Sequence, residues 1–238
     1  MKDIPRTLAI IPARGGSKGI PNKNILKFGN KPLIHYTINC ALESKLISKI
    51  IVSSDSKEIL DCCSHFNGIE LNERPLHLAS DNSNIVETFI HLIDEEENKG
   101  EDFDYVILLQ PTSPIRLKGE IDEVISALIN SSSYNSLISV VEMNDIHPSR
   151  MYSIEANELK ALNEKEQSLR RQDLPKVYLR DGCYYVSSVN SLKLNKSLFA
   201  NPQLPFVRNG DLLLNIDGKR DILVAETLIN NFIEDENP

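Results

Sequence analysis

The sequence predicts an α/β fold with a doubly wound, mostly parallel sheet that helices cover on both faces. Short apolar runs alternate with amphipathic helical stretches over residues 8–141, which is the pattern of repeated strand–helix–strand units. The run Tyr105–Leu109 (YVILL) is apolar throughout, as expected for a strand buried on both faces. A length of 238 residues, 41% of them hydrophobic, fits one domain with a sizeable core.

Strands and helices can be assigned in order along this region. The run Leu8–Pro12 is apolar and stops at a proline, as a buried first strand would. Helices show apolar residues at three- and four-residue spacing, so that Ile85, Phe89 and Leu92 share one face. The predicted strands are Leu8–Pro12, Lys49–Ser53, Gly68–Leu71, Tyr105–Leu109 and Ser136–Val141, and the predicted helices are Pro32–Lys45, Ser56–Phe66, Asn84–Glu97 and Lys118–Ile129.

The alternation changes after Glu142. Residues 143–178 are polar and lack a strong period, so we interpret them as an excursion, such as a lid or a dimerisation arm, from a single domain spanning 1–238. Beyond them, Gly182–Ser188 and Leu212–Ile216 predict two further strands, and Lys219–Ile233 predicts a closing helix. Ligands of doubly wound sheets bind beyond the carboxyl ends of the strands, so the loops after the strands form the candidate site.

The segment Leu8–Asn24 (LAIIPARGGSKGIPNKN) carries the strongest local signal. The strand leads into a glycine-rich loop with the cations Arg14, Lys18 and Lys23. Glycines let the backbone approach a ligand closely and cations balance its charge, so the loop predicts a phosphate site. Residues 1–31 hold seven Lys/Arg and one acid, whereas the whole chain has net charge −8. The loop matches neither GxxxxGK[ST] nor GxGxxG, which leaves a polar surface turn as the alternative.

Composition argues against several classes of function. A net charge of −8 without extended Lys/Arg stripes argues against nucleic acid or a membrane surface as the main partner. No apolar run approaches ~18 residues, so no transmembrane helix is expected. The cysteines lack CxxC spacing and are expected to be reduced structural thiols, which predicts a cytoplasmic protein; they are Cys40, Cys62, Cys63 and Cys183.

A series of motifs in fixed order carries a resemblance to a known family. They are PARGGSKGIPNKN, IVSSDS, RPLHLASDNS, LLQPTSPIR, RQDLP, LRDGCYYV and NIDGKRDILVAE. From about Leu8 to about Glu226 the chain resembles the acylneuraminate cytidylyltransferases, also called CMP-sialic acid synthetases. The first motif and LLQPTSPIR are the specific ones, and the others gain weight from their order. The CMP-Kdo synthetases are more distant relatives with the same fold.

The resemblance implies a Rossmann-like nucleotidyltransferase fold and a reaction. CTP and a nonulosonic acid, which is sialic acid or a bacterial analogue such as legionaminate, would give a CMP-sugar and pyrophosphate, with Mg²⁺ as cofactor. The anomeric 2-hydroxyl of the sugar attacks the α-phosphorus in line with the leaving pyrophosphate. The family pattern also implies a homodimer in which residues 143–178 reach the neighbouring subunit.

The resemblance also assigns the site residues. Arg14 and Lys23 match the cationic pair on the phosphates and are expected to be catalytic, together with Asp217. The other nucleotide positions are Ala13, Gly15, Ser17, Asn24, Arg74 and Ser83, the last two near the cytosine or ribose. The sugar positions are Gln110, Arg171 and Arg180, and the two arginines are expected to recognise the sugar's carboxylate.

The expected metal site departs from the family pattern. The family has two aspartates, two residues apart on a strand, that bind Mg²⁺ from one face. Here the first of the two is Asn215, which offers a carbonyl oxygen but lacks the negative charge. Asp217 is therefore the main metal candidate and Asn215 a weaker partner.

Two other functions stay open on the sequence. One is a sugar nucleotidyltransferase of the CMP-Kdo synthetase type, which would have a different first loop and sugar pocket. The other is a non-catalytic nucleotide-binding module, which Asn215 alone favours. The sequence does not name the sugar, because the candidate nonulosonic acids share the carboxylate and the 2-hydroxyl.

Overall fold

The computed structural model of the protein describes residues 4–16, 19–80 and 83–235. Its strands are β1 (Thr7–Pro12), β2 (Lys27–Phe28), β3 (Lys31–Pro32), β4 (Ile47–Ser54), β5 (Glu70–Glu73), β6 (Tyr105–Leu108), β7 (Ser136–Met143), β8 (Tyr152–Glu155), β9 (Glu158–Ala161), β10 (Val177–Ser188) and β11 (Gln203–Arg208). Its α-helices are α1 (Leu33–Glu43), α2 (Lys57–Cys63), α3 (Ile85–Asn98), α4 (Glu120–Ile129), α5 (Val189–Asn195) and α6 (Lys219–Asp235).

Within the described residues, seven strands form a central sheet in the order β11-β7-β10-β6-β1-β4-β5. Strand β1 pairs in parallel with β4 and β6, β4 with β5, and β7 with β11, while β10 runs antiparallel to β6 and β7. The mostly parallel sheet confirms the predicted fold class. Because Tyr185 pairs with Leu108, the last residue of β6, the first half of β10 passes beyond the carboxyl end of that strand.

Helices cover both faces of this sheet. Along β1, Leu8 and Ile10 enter one apolar layer and Ala9 and Ile11 enter the other, which is the two-residue period of a strand. The first layer includes residues of α3 and α5, and the second includes residues of α1, α2 and α4. A third cluster packs α6 over the loops at one edge, through Ile20, Phe28, Leu33, Ile115, Leu214, Ile216, Ala225 and Ile229.

The strand predicted at Leu212–Ile216 is wrong. Gly210–Leu212 is a turn of 3-10 helix, and the residues that follow join no ladder. The segment is apolar because Leu214 and Ile216 pack beneath α6. The sheet strand of this region is β11, which sequence analysis missed because Pro205 and partial exposure weaken its pattern, as is common on an edge strand.

The excursion at residues 143–178 forms a small hairpin beside the central sheet. Strands β8 and β9 pair with each other across Ala156 and Asn157, whose φ angles of 50° and 67° suit a tight hairpin turn. Large apolar side chains on this hairpin are exposed, with Tyr152 at 50%, Ile154 at 73% and Leu159 at 68%. The part that this segment plays in a dimer stays a prediction.

A buried ion network joins the sheet to α4. Arg208 Nε donates to Glu120 Oε1 at 2.8 Å, and Arg208 Nη1 donates to Asp181 Oδ2 at 2.7 Å. The exposed fractions of these side chains are 0% for Arg208, 7% for Glu120 and 1% for Asp181. Tyr184 donates its hydroxyl to Glu120 at 2.8 Å, and Ser139 donates to Asp181. Buried charges need this degree of pairing, so the network fixes how β11, β10 and α4 meet.

Replacement of Arg208 tests this network. Arg208→Met leaves two carboxylates buried without their cation, and we expect it to lower the free energy of unfolding by about 3–5 kcal/mol. The matched control is Arg170→Met, which removes the exposed ion pair with Asp173 and should cost at most about 1 kcal/mol. Urea titration followed by circular dichroism measures both values. Equal stability of the two variants would contradict the structural role of the network.

Candidate active site

Loops at the carboxyl edge of the sheet enclose a cavity of about 520 Å³. It lies where a doubly wound sheet binds its ligand. Among its described lining residues, three cations, Arg14, Lys23 and Arg74, face one acid, Asp217. This excess of positive charge suits an anionic ligand. The other lining residues are Pro12, Gly19, Asn24, Leu78, Ala79, Ser80, Ser83, Ile85, Gln110, Pro111, Thr112 and Asn215.

The glycine-rich loop is braced against the end of β4. Ala13 N donates to Ser53 O at 2.9 Å, and Gly15 N donates to Asp55 Oδ1 at 2.9 Å. A Cβ at Gly15 would lie 2.9 Å from Ser56 Cβ, so this position requires glycine. Ala13 and Gly15 thus support the loop, and neither is among the residues that line the cavity.

The next residues of the loop face the cavity. Asn24 is buried, and its Nδ2 donates to Arg14 O at 3.1 Å, which fixes the backbone that carries the arginine. Both side chains line the cavity together with that of Lys23. Ser17, a predicted nucleotide contact, lies outside the described residues.

Lys23, Asn215 and Asp217 meet on one wall of the cavity. Lys23 Nζ donates to Asp217 Oδ1 at 2.9 Å and to Ile216 O at 2.7 Å, and Asn215 Nδ2 donates to Asp217 Oδ2 at 2.6 Å. The prediction that Asn215 and Asp217 lie on a strand is wrong. They lie on an extended segment that is held by Ile216 N, which donates to Thr112 O at 2.8 Å. Ile216 is fully buried, so its two neighbours point to the opposite side.

Asp221, which sequence analysis did not select, orders the same segment. From the first turn of α6 its Oδ2 accepts the backbone N–H groups of Asp217 at 2.9 Å and Gly218 at 2.7 Å. These two hydrogen bonds lower the pKa of Asp221. An acid in the first turn of a helix commonly reaches back in this way, so the string NIDGKRD held a usable signal.

Arg74 is part of the cavity wall and not a solvated turn residue. It is 5% exposed, and its Nη2 and Nε donate to Ser53 O at 2.7 Å and Ser53 Oγ at 3.2 Å. Burial lowers the pKa of its guanidinium. Ser83 lines the same cavity, and its hydroxyl donates to His77 O at 2.8 Å.

A second cavity of about 400 Å³ adjoins the first and shares Ile85, Gln110 and Asn215 with it. Arg180 is its one charged lining residue among those described, and the guanidinium lies 4.9 Å from the ring centre of Phe199. Most of the remaining wall is apolar or aromatic, from Leu108, Leu179, Tyr185, Leu198 and Phe199. The structure thus brings two of the three predicted sugar residues, Gln110 and Arg180, together.

Gly182 lies within β10, where the pairing with β7 shifts register between Arg180 and Tyr185, and sequence analysis gave it no role. Its φ is +82°, and a Cβ there would lie 2.7 Å from Ser113 Oγ and 3.1 Å from Gln110 Oε1. Glycine is required for both reasons. The backbone of Gln110 is fixed as well, because Arg116 Nη2 donates to its carbonyl oxygen at 3.0 Å.

Arg171 is not brought to either cavity within one chain. Its Nη2 pairs with Asp145 at 2.6 Å, and its side chain is 58% exposed. It lines a separate depression of the excursion with His147 and Lys176. A contact of Arg171 with the sugar therefore needs another subunit or a rearrangement, and it stays a prediction.

The oxygen atoms near Asp217 fit a magnesium ion that arrives with a nucleotide. Mg²⁺ in phosphate-transfer sites commonly binds one or two carboxylates together with substrate phosphates. Asp217 supplies one carboxylate and Asn215 one amide oxygen, and no cluster of three His, Cys, Asp or Glu is present in the described residues. Further ligands would have to be phosphate oxygens and water.

The cysteines play no part in this site. None of them lines either cavity, and burial raises the pKa of both Cys63 and Cys183 to about 12, which makes these two thiols poor nucleophiles. Over the described ranges, no helix is both long and apolar enough to span a bilayer.

Comparison with known proteins agrees with this geometry. The cytidylyltransferase family model matches residues 8–221. The CMP-N,N'-diacetyllegionaminic acid synthase of Legionella pneumophila is 33% identical over 94% of this chain and 96% of its own length. The pseudaminic acid cytidylyltransferase of Campylobacter jejuni is 30% identical over 94% of this chain and 96% of its own length.

A solved structure gives the same fold at low sequence identity. CMP:2-keto-3-deoxy-manno-octonic acid synthetase, complexed with CTP, superposes with a TM-score of 0.69 at 13% identity, over 95% of this chain and 99% of the other. The match of the family model over most of the chain, together with relatives at 30% identity or more, shows the family. The chain belongs to the cytidylyltransferase family.

Proposed function

We propose that this protein transfers CMP from CTP to the anomeric 2-hydroxyl of a nonulosonic acid and releases pyrophosphate. The observation that carries the proposal is the pair of adjoining cavities, one whose charged lining residues are mostly cations and one lined mostly by apolar groups around a single arginine. The two cavities share Gln110 and Asn215, so ligands in both would meet at these residues. The relatives that match nearly end to end are named for this class of reaction.

In the proposed reaction the first cavity holds the nucleotide. Arg14 and Lys23 bind its phosphates, and Arg74 and Ser83 contact the cytosine or ribose. The 2-hydroxyl oxygen bonds to the α-phosphorus, the bond from that phosphorus to the bridging oxygen breaks, and pyrophosphate leaves as the hydroxyl proton is released. Fixed cations next to the phosphates stabilise the charge that develops on the leaving group.

We propose Mg²⁺ as the cofactor, with Asp217 as its protein ligand and Asn215 beside it. When bound, the ion would neutralise charge on the phosphate oxygens. The residues themselves do the positioning. Lys23 and Asn215 orient the carboxylate of Asp217, and Asp221 fixes the backbone beneath it.

The second cavity would hold the sugar acid. Arg180 is suited to a bidentate contact with the carboxylate, and Gln110 to a hydrogen bond with a hydroxyl or amide. The apolar wall that includes Leu198 and Phe199 suits the methyl groups of N-acyl substituents better than a chain of hydroxyls. This favours an N-acylated nonulosonic acid, sialic acid or a legionaminate-like analogue, over an eight-carbon Kdo-type sugar.

We further propose a homodimer in the cytoplasm. The exposed apolar side chains of the hairpin between 143 and 178 are suited to a partly polar interface. Arg171 would then border the sugar cavity of the neighbouring subunit.

Two alternative functions have less support. An enzyme of the CMP-Kdo synthetase type is supported by the fold alone. A non-catalytic nucleotide-binding module is disfavoured because Arg14, Lys23 and Asp217 all face one cavity.

The first test is a pyrophosphate-release assay with CTP, Mg²⁺ and a panel of nonulosonic acids. We expect turnover with CTP but not with ATP or GTP. Lys23→Ala removes a phosphate cation and the partner of Asp217, so its kcat should fall about 10²–10³-fold. Lys27→Ala, which removes an exposed lysine outside both cavities, should keep the wild-type rate. A wild-type rate in Lys23→Ala, or no turnover with any sugar of the panel, would refute the assignment.

A second test separates sugar binding from nucleotide binding. Gly182→Ala places a methyl group against Gln110 and Ser113, so we expect the KM for the sugar to rise at least tenfold while the KM for CTP changes less. Gly100→Ala is the control, because Gly100 has a similar φ of +80° but no atom within 4 Å of the added methyl. If the KM for the sugar rises equally in both variants, backbone strain at a positive φ explains the rise, and the prediction for the second cavity is wrong.

A third test concerns the dimer. Light scattering should give twice the chain mass. Arg14→Ala and Arg171→Ala should each be slow alone, and a mixture of the two should recover part of the activity if Arg171 serves the partner's site. Recovery requires subunit exchange, which a mixture of tagged and untagged chains measures independently. A fully active monomer, or exchange without recovery, would contradict a shared site.

A further inference from the structure

Both oxygens of the Asp217 carboxylate already have partners within the protein. Lys23 Nζ donates to Oδ1 at 2.9 Å, and Asn215 Nδ2 donates to Oδ2 at 2.6 Å. The backbone is fixed as well, because Asp217 N donates to Asp221 and a Cβ on Gly19 would lie 2.2 Å from Asp217 O. The carboxylate is therefore oriented before any ligand arrives.

The contact from Asn215 depends on its amide nitrogen. An amide donates hydrogen bonds, whereas an ionised carboxylate can only accept them. An aspartate at position 215 would bring two negatively charged groups that can only accept hydrogen bonds to hydrogen-bond distance, and the contact would then require a cation that both carboxylates share. Asn215 replaces that requirement with a direct hydrogen bond.

The net charge of this wall also indicates that the free protein holds Asp217 without a metal ion. The ammonium of Lys23 balances the single carboxylate of Asp217, so the free site offers a divalent cation little attraction. The phosphates of a nucleotide would change both the pairing of Lys23 with Asp217 and the number of oxygen ligands at the site. They attract Lys23 and supply further oxygen ligands, which is the usual way in which Mg²⁺ is held beside one carboxylate.

We propose that Asn215 is a positioning residue that holds Asp217 in place without a metal ion, so that the protein binds a divalent cation only together with the nucleotide. The inference rests on the proposed function for the identity of that nucleotide, CTP. It assigns to Asn215 a role that an aspartate could not fill, since aspartate would make the same wall depend on a bound cation.

The test uses Mn²⁺ as a paramagnetic substitute for Mg²⁺. Water-proton relaxation distinguishes Mn²⁺ on the slowly tumbling protein from Mn²⁺ bound to CTP in solution. Free wild-type protein should bind Mn²⁺ no better than Asp217→Ala. Addition of CTP should produce a strong enhancement in the wild type that Asp217→Ala lacks.

The variant Asn215→Asp should bind Mn²⁺ without CTP, unlike the wild type. Without nucleotide it should bind Mn²⁺ at least tenfold more tightly than the wild type, and its melting temperature should fall without Mg²⁺ and recover with it. The control is Asn209→Asp, which adds the same charge at an exposed position outside both cavities. It keeps a side-chain oxygen to accept the backbone N–H of Asp211, as Asn209 does at 3.0 Å. It should match the wild type in both measurements.

Several results would overturn the inference. Free wild-type protein that binds Mn²⁺ as tightly as Asn215→Asp, or as tightly as it does with CTP, contradicts it even if CTP and sugar are turned over, and the proposed function then stands. If Asn215→Asp does not fold, the wild-type comparison with and without CTP decides the matter. If no sugar supports turnover, the proposed function fails, and the nucleotide-free comparison of Asn215→Asp with wild type still tests the positioning role.

Discussion

The guanidinium of Arg208 connects three parts of the chain that are distant in sequence. It lies at the end of β11 and donates to Asp181 in β10, to Glu120 at the start of α4, and to Ile115 O at 2.9 Å. The charged side chains are almost without exposure, so water cannot replace any partner that is lost. Burial also raises the pKa of the neighbouring Tyr184 hydroxyl, which stays a donor to Glu120. One cation thus fixes the geometry in which β10 crosses the end of β6.

The two cavities depend on that crossing. Asp181 is followed at once by Gly182, whose positive φ and lack of a side chain leave room for Gln110. A second buried cation, Arg116, fixes Gln110 from the other side and donates to Cys183 O at 3.2 Å and Thr37 Oγ1 at 2.9 Å. Gln110, one of the residues shared by both cavities, is therefore held by a buried arginine that lines neither of them. This explains how loops at the edge of a sheet can hold side chains with the accuracy that group transfer requires.

The cavities differ in the way that their proposed ligands differ. The first has Arg14, Lys23 and Arg74 in its wall, which matches a ligand with several phosphate charges. The second has Arg180 among aromatic and aliphatic side chains, which matches a ligand with one carboxylate and apolar substituents. Next to the shared residue Asn215, Asp217 accepts its hydrogen bond and is paired with Lys23, so the charge of this carboxylate is balanced in the free protein.

The sequence by itself determined the fold class, most of the helices and the position of the glycine-rich loop, because these follow from local periodicity and from motifs of contiguous residues. It also selected Arg14, Lys23, Asn24, Arg74, Gln110 and Asp217, all of which line the first cavity. It did not find β11, because an edge strand with a proline has little pattern of its own.

Only the tertiary structure decided the rest. The apolar run at Leu214 and Ile216 is explained by packing under α6 and not by a ladder, and periodicity cannot distinguish the two. The buried network of Arg208, the space left by Gly182 and the separation of Arg171 from the other two predicted sugar residues all arise from contacts between residues far apart in the chain. Such contacts leave no local pattern in the sequence. Each depends on a charge, a cavity or a steric neighbour that a distant segment supplies only when the chain is folded.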